Sequence, residues 1–391
     1  MINPLPLPII IIGTGLSGIS VAKEFRKVDS QTPLILITQD DGHFYSKPLL
    51  STALQQKKSP SDLVITTKEV LEQQLNATIM TFATVTQIDA HSQTLRVQTL
   101  DDSETLPYQK LVFAKGAKPK PLPIVEALPS HYRINSLMDY AKFKTAQNDW
   151  QQLAIIGSGL VGCEFAHDFT QSQSAIRVIT PDPYPLYGLV PEPVGQALQA
   201  ALTSKGVTFH TKAHIAQAFM QEKLCQLHLS CQTRVDADGI LIAIGLAPDI
   251  TLAKAAGLAV NQGIKVDAYL ECSIPNHFAL GDCAEINGQC RQFIAPILVC
   301  ARALAQTLCG NPTKAVLPLL PITLKVECYP IIVAPPAKGT DGAWHFENQG
   351  QHYQGLFYDQ EGLLQGYVLS GSYLAKRQEF QLALLANVSQ K

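Results

Sequence analysis

The chain has 391 residues, with 30 Lys and Arg against 32 Asp and Glu, a formal net charge of −2, 46% hydrophobic residues and 16% charged ones. That length suits two or three domains with sizeable cores, and so few charges imply that most strands are buried. The balance leaves no basic footprint for nucleic acid, and no apolar run approaches the roughly 18 residues of a membrane span. Nine irregularly spaced cysteines suit a reducing compartment better than a disulfide framework, and Met1 to Pro8 lacks the basic segment of a signal peptide, so a cytoplasmic location is expected.

In chain order, the apolar run Ile9–Ile12 leads into Gly13-Thr14-Gly15-Leu16-Ser17-Gly18 and a helix predicted to end near Val28. In this motif the first glycine makes a tight turn, the second lets a pyrophosphate approach the backbone, and the third allows close helix–strand packing. The helix N-terminus adds N–H donors and partial positive charge. A second strand is predicted at 33–38, followed by Gln39 and Asp40, about twenty residues past the glycines, where an acid can accept hydrogen bonds from a ribose hydroxyl. Its alternative is a solvated turn residue. Alternation at 84–88 and 94–97 predicts antiparallel strands around Val85, and 111–114 a short buried strand before the proline-rich crossover 116–123.

The glycine motif then recurs. Gly157-Ser158-Gly159-Leu160-Val161-Gly162 follows the apolar run 153–156, with further strands predicted at 175–180, 207–210 and 240–244 before Gly245. One GxGxxG is weak evidence; two, each after a β-branched run and before a helix, imply two dinucleotide sites on one chain. The strand 277–280 ends in Gly281-Asp282, Pro296 opens a helix over 297–308, and strand-like runs from 318 precede a helix over 373–385. The expected fold is α/β: two Rossmann-like dinucleotide-binding domains, one discontinuous (1–118 and 248–317) and one inserted (119–247), plus a small C-terminal α+β domain (318–391).

Chemistry follows from position. A carboxylate at Asp282 can accept hydrogen bonds from a polyol such as the ribitol of FAD, or it can cap the next helix. The helix after Pro296 can present its N-terminus to a flavin's pyrimidine edge, or serve as an ordinary core helix. No two cysteines have CxxC or CxxxxC spacing, so no thiol relay is expected. His210 and His214 have no Cys or acid at ligand spacing, so no metal site is expected.

These features resemble the two-dinucleotide-domain flavoprotein reductases, and within them the NADH:rubredoxin reductases, nearly end to end. The resemblance is carried by IIIIGTGLSGIS, DDGHFYSKPLLS, AIIGSGLVGCEFAHDF, FALGDCAEING and ARALAQTLCGNP. It implies FAD on the first glycine motif and NADH on the second. It also implies flavin contacts from Gln39, Asp40, Lys47, Val85, Glu164, Asp282, the Ile294 region and Lys325. Lys47 and Glu164 are the expected catalytic pair beside the flavin N5, each neutralising the other, since an unpaired buried charge is costly. Their alternatives are a solvated loop lysine and an acid favoured at a helix N-terminus.

Two departures stand out. Lys115 occupies a position where relatives carry a small or uncharged residue, and can touch FAD or point to solvent. The second nucleotide strand ends Thr180-Pro181-Asp182, without an acid at its tip; Asp182 can still reach a ribose, and no Arg follows to receive a 2′-phosphate, which favours NADH. The expected activity is FAD-dependent transfer of electrons from NADH to rubredoxin, a small one-electron carrier. Reduction of ferredoxin or flavorubredoxin, NADH oxidation by oxygen, and a non-catalytic flavin- and NADH-binding interaction protein are the competing expectations.

Overall fold

Ile9–Ile12 is buried along its whole length because its two faces enter two different cores. Ile9 and Ile11 pack with Ile19, Val21 and Phe25 of the helix Leu16–Arg26 and with Ala301 and Leu304 of the helix Ile294–Leu308, while Ile10 and Ile12 pack with Val85, Leu95, Val97 and Leu252. A strand covered on both faces reads as a continuous apolar run, which is what the four isoleucines are. The computed structural model describes residues 6–172, 174–291, 293–317 and 321–388, which fall into two compact units.

The first unit comprises 6–47, 61–118 and 246–317. Its five-stranded parallel sheet runs His277–Ala279, Lys110–Phe113, Ile9–Ile12, Leu34–Ile37, Thr78–Met80. A three-stranded antiparallel sheet, Thr84–Asp89, Thr94–Gln98 and Ser103–Pro107, is inserted between two of these strands in sequence.

The second unit comprises 48–60, 119–245 and 321–388, and it repeats the plan. Its parallel sheet runs His131–Tyr132, Gly239–Ile242, Gln152–Ile156, Ala175–Ile179, Val207–His210, with its own antiparallel insert of Ile215–Gln221, Leu224–Leu229 and Arg234–Ala237. The sequence showed the doubled glycine motif; the repeat extends to the whole sheet and its insert. In both sheets the strand order reverses beside the glycine loop, which opens the crevice where doubly wound sheets bind nucleotides.

One expected boundary needs correction. Residues 48–60 were assigned with the first domain, yet they group with the second unit, held there by the helix Leu160–Phe169 as described below. The C-terminal segment forms the expected small α+β domain, a five-stranded antiparallel sheet with one helix, and its sheet contributes to two cores. Leu324, Val326, Ile331, Val333 and Val368 share one core with Leu153, Ile155, Phe165 and Phe169 of the second nucleotide fold. The opposite face, with Ile332, Ala334, Tyr367 and Leu369, is covered by Phe380 and Leu384 of the helix Arg377–Val388. Period-two alternation along Ile331–Ala334 makes both contacts possible. That helix starts later than the expected 373, because Gly371–Lys376 forms a 3-10 turn first.

Candidate functional site

The two glycine loops show which glycines the polypeptide needs and which a ligand needs. Gly13 (φ +116°) and Gly157 (φ +105°) adopt backbone that L side chains rarely enter, and a Cβ on Gly157 would lie 2.5 Å from the Ala243 carbonyl oxygen. A Cβ on Gly18 or Gly162 would run into the carbonyl of Gly13 or Gly157, so these positions serve helix–strand packing. Gly15 and Gly159 are different. Both have extended backbone, and a Cβ on either would meet no protein atom within 4 Å. Nothing in the fold requires glycine there; a phosphate approaching the backbone does. Each is the N-cap of its helix, and neither helix has a side-chain cap, so the first-turn N–H groups remain for an anion. The residues therefore fit two dinucleotides. Leu16, Ser17, Leu160 and Val161 lie in the first turns of these helices.

The acids expected beside each ribose occupy matching places. Asp40 Oδ1 accepts hydrogen bonds from Thr38 Oγ1 at 2.6 Å, Gly42 N at 3.1 Å and Thr14 Oγ1 at 3.5 Å. In the second unit Thr180 Oγ1 donates to Asp182 Oδ2 at 3.3 Å, and Ser158 Oγ donates to Thr180 Oγ1 at 3.0 Å. Gln39 is turned aside, its Nε2 donating to Thr84 Oγ1 at 3.1 Å next to the buried Val85.

Gly281 closes the first site. Its φ is +74°, and a Cβ there would collide with the Ser17 hydroxyl at the start of the first helix. This brings Asp282 to the glycine loop. Burial pushes the Asp282 carboxyl up from its ordinary value, and the positive charge of Lys47 pulls it back down. Lys47 begins the 3-10 turn Lys47–Thr52. Ile294 is the first residue of its helix and stands 42% exposed, with no side-chain cap before it. Pro296 is the third helical residue and not the first, as expected from sequence; its missing N–H still costs no helical bond there. In the second unit Gly245 (φ +93°) is exposed beside the loop, with its carbonyl accepting from Lys120 N at 3.0 Å.

Glu164, 5% exposed, lies one turn into the second glycine helix. Its Oε2 accepts from Ser51 Oγ at 2.6 Å and pairs with Lys325 Nζ at 3.0 Å, while Oε1 accepts from Lys325 N at 3.1 Å. Lys325 Nζ also donates to the Pro48 carbonyl and to Ser51 Oγ. Glu164 thus takes its cation from within its own unit. Lys325 entered the sequence reading only through the family resemblance, and Ser51 only as the end of the DDGHFYSKPLLS segment, with no role assigned.

One helical turn on, Asp168 is 1% exposed and accepts from Leu54 N at 3.1 Å and Gln55 N at 2.8 Å. Burial pushes its carboxyl up to about 6, against those two N–H bonds and the positive charges of Lys144 and Lys325. A carboxyl raised in the folded state favours folding most below its unfolded pKa, and that contribution is lost as pH rises through the folded one. Unfolding free energies of wild type and Asp168→Asn, measured from about pH 4 to pH 7, should therefore diverge. The wild type should lose about 1–3 kcal/mol relative to the variant across that window. A constant difference would contradict the assignment.

Lys115 is held in an ion pair rather than pointing freely into solvent. Its Nζ pairs at 3.0 Å with the buried Asp249, which Lys118 Nζ also reaches at 3.0 Å. All nine cysteines are unpaired thiols. Burial raises Cys163 well above the ordinary thiol value and Cys283 to about 12, so neither forms a ready thiolate. Replacing any one cysteine by serine should leave turnover within a few-fold in steady-state assays. A folded, flavin-loaded variant slowed by orders of magnitude would restore a thiol mechanism.

What sequence inspection missed had visible signals. Asp168 lies one turn after Glu164 on a mostly apolar helix, and Thr38-Gln39-Asp40 recurs as Thr180-Pro181-Asp182.

Comparison with known proteins places this arrangement. The pyridine nucleotide-disulphide oxidoreductase profile matches residues 7–303, and a rubredoxin binding C-terminal domain profile matches 314–384. The chain is 39% identical over 382 residues to a rubredoxin-NAD(+) reductase of Alcanivorax borkumensis, covering 97% of this chain and 99% of that protein. It is 33% identical to a nitric oxide reductase FlRd-NAD(+) reductase of Escherichia coli K12, covering 93% and 95%. Among solved structures, putidaredoxin reductase in its covalent complex with putidaredoxin has the same fold, with a TM-score of 0.86 at 22% identity, covering 96% and 93%.

Proposed function

From its membership of the pyridine nucleotide-disulphide oxidoreductase family, to which this chain belongs, we propose that it is an FAD-dependent NADH:rubredoxin reductase. The observation that carries this reading is the combination of two open glycine cradles with a C-terminal segment matching the rubredoxin binding domain. FAD, when bound, supplies the chemistry that side chains lack: it accepts two electrons together and releases them singly.

The chain's own residues bind and orient. The first helix N-terminus and Gly15 hold one pyrophosphate, with Asp282 set to accept hydrogen bonds from the ribityl chain. The second helix N-terminus and Gly159 hold NADH. Lys47, Glu164 and Lys325 supply charge around the flavin, and Lys47 and Glu164 hold the nicotinamide site open; the Ser51 hydroxyl, donating to Glu164, and the N–H groups of Leu54 and Gln55, donating to Asp168, fix the 48–60 segment in the unit that carries Glu164. No general acid or nucleophile is needed for hydride and electron transfer. Among the described residues no helix is long and apolar enough to cross a membrane, and the nine free thiols fit the reducing cytoplasm.

Flavorubredoxin is the second acceptor to weigh, because relatives named for it are 33% identical. Steady-state NADH oxidation with oxidised rubredoxin, flavorubredoxin, ferredoxin or oxygen separates the readings. Rubredoxin should accelerate turnover most. A larger acceleration by any of the others would replace it.

A further inference from the structure

The two nucleotide folds share one more element, and its two copies are not equally tight. In each, a threonine closes the second strand, an aspartate follows two residues later, and a hydroxyl from the second position of the glycine motif joins them: Thr14, Thr38 and Asp40 in the first unit, Ser158, Thr180 and Asp182 in the second. The backbone frame repeats as well. Thr38 N donates to the Met80 carbonyl and Thr180 N to that of His210; Ala83 N and Ala213 N donate back to the two threonine carbonyls.

Thr180 is fully buried, and its hydroxyl has one hydrogen to give and two lone pairs to fill. Ser158 Oγ and Asp182 N donate to it, at 3.0 and 3.3 Å, so its own hydrogen is directed to the Asp182 carboxylate. In the first unit three donors converge on Asp40 Oδ1: Thr38, Thr14 and Gly42 N. Among the described residues, the Asp182 carboxylate receives the Thr180 hydroxyl alone.

We propose that Thr38 and Thr180 are positioning residues that aim an aspartate at the adenosine ribose of each dinucleotide, and that the tighter copy serves the resident cofactor while the looser copy serves the nucleotide exchanged in every turnover. This rests on the assignment of FAD to the first site and NADH to the second. A carboxylate fixed by three bonds is preorganised, so ribose binding costs it little further ordering; one fixed by a single bond gives up more order on binding and releases more readily. An aimed carboxylate at Asp182 also opposes the 2′-phosphate of NADPH by like charge.

The test uses the flavin-loaded enzyme with Thr180→Val, Thr180→Ser and Asp182→Asn. Valine keeps the shape but leaves Ser158 and Asp182 N without their acceptor and the carboxylate without its donor. The KM for NADH should rise about 3- to 10-fold, the effect of one lost hydrogen bond, with kcat near wild type. The KM for NADPH should stay or fall, and Thr180→Ser should restore the NADH value. Where Thr180→Val does not fold, Thr180→Cys, which lacks the methyl and keeps only a weak donor and acceptor, reports the same contact. In parallel, Thr38→Val should speed the release of FAD measured by ultrafiltration, with Thr38→Ser again restoring retention. If Asp182→Asn raises the NADH KM but Thr180→Val does not, the positioning role is wrong. If Asp182→Asn has no effect either, the assignment of NADH to this site fails with it. Equal KM rises for NADH and NADPH in Thr180→Val would also overturn the proposal.

Discussion

Gly15→Val should give a folded, colourless protein, and Gly159→Val a yellow one that barely uses NADH. The force of this pair lies in the space around the two glycines: both have extended backbone and a Cβ there meets no protein atom within 4 Å, so a side chain begins without the backbone collision found at the other motif glycines. The same change at Gly13 or Gly18 would collide with backbone and confuse loss of cofactor with loss of fold. A β-branched side chain at Gly15 or Gly159 instead fills the volume through which a pyrophosphate reaches the helix N–H groups. Losing two such charge-assisted bonds, each worth about 1.5–3 kcal/mol, weakens binding by at least about 100-fold. Flavin content by absorbance, and the KM for NADH, check the two outcomes. The reverse pattern, flavin lost from Gly159→Val and kept in Gly15→Val, would invert the assignment of the sites.

Glu164→Gln, Lys325→Met and Lys47→Met should each retain FAD while slowing hydride transfer from NADH by about 10- to 100-fold, or about 1.4–2.7 kcal/mol of transition-state stabilisation. Glu164 and Lys325 are joined at 3.0 Å, with Glu164 buried, so removing either partner leaves a charge poorly compensated. The double variant Glu164→Gln/Lys325→Met should therefore cost less than the sum of its parts. Lys47→Met/Glu164→Gln should also be sub-additive if these two act together beside the flavin. Stopped-flow reduction of the single and double variants measures both couplings. Additivity for the Lys47 pair, with sub-additivity for the Lys325 pair, would leave Lys325 as the cation on which Glu164 depends and return Lys47 to the environment of Asp282. Negligible effects in all variants would make the cluster purely structural.

The parts of this fold legible in the sequence were those written in local pattern. Ile9–Ile12 could be read because burial on both faces demands an unbroken apolar run, and the glycine loops because their steric demands admit no other residue at Gly13 or Gly18. What stayed hidden depends on tertiary pairing. Nothing local in Ser51-Thr52-Ala53-Leu54-Gln55 signals that its hydroxyl and two backbone N–H groups are bound by acids more than a hundred residues away. Lys115 looked ambiguous because its partner, Asp249, lies on the far side of the inserted nucleotide fold in sequence. The second antiparallel insert escaped because Ile215–Gln221 is exposed along most of its length, so its alternation is weak. The shared Thr-x-Asp element was visible in the letters, but its meaning needed the hydroxyl geometry.

The central claim is that electrons pass from NADH through the protein's flavin to a one-electron carrier without a thiol. Anaerobic stopped-flow mixing tests it most directly: flavin-loaded enzyme reduced with one equivalent of NADH is mixed with oxidised rubredoxin while both chromophores are followed. The account predicts rapid reduction of about two equivalents of rubredoxin per NADH, with full return of oxidised flavin and no dependence on thiol alkylation. Reduced enzyme that leaves rubredoxin oxidised, or that reduces it only while its cysteines are free, would contradict it.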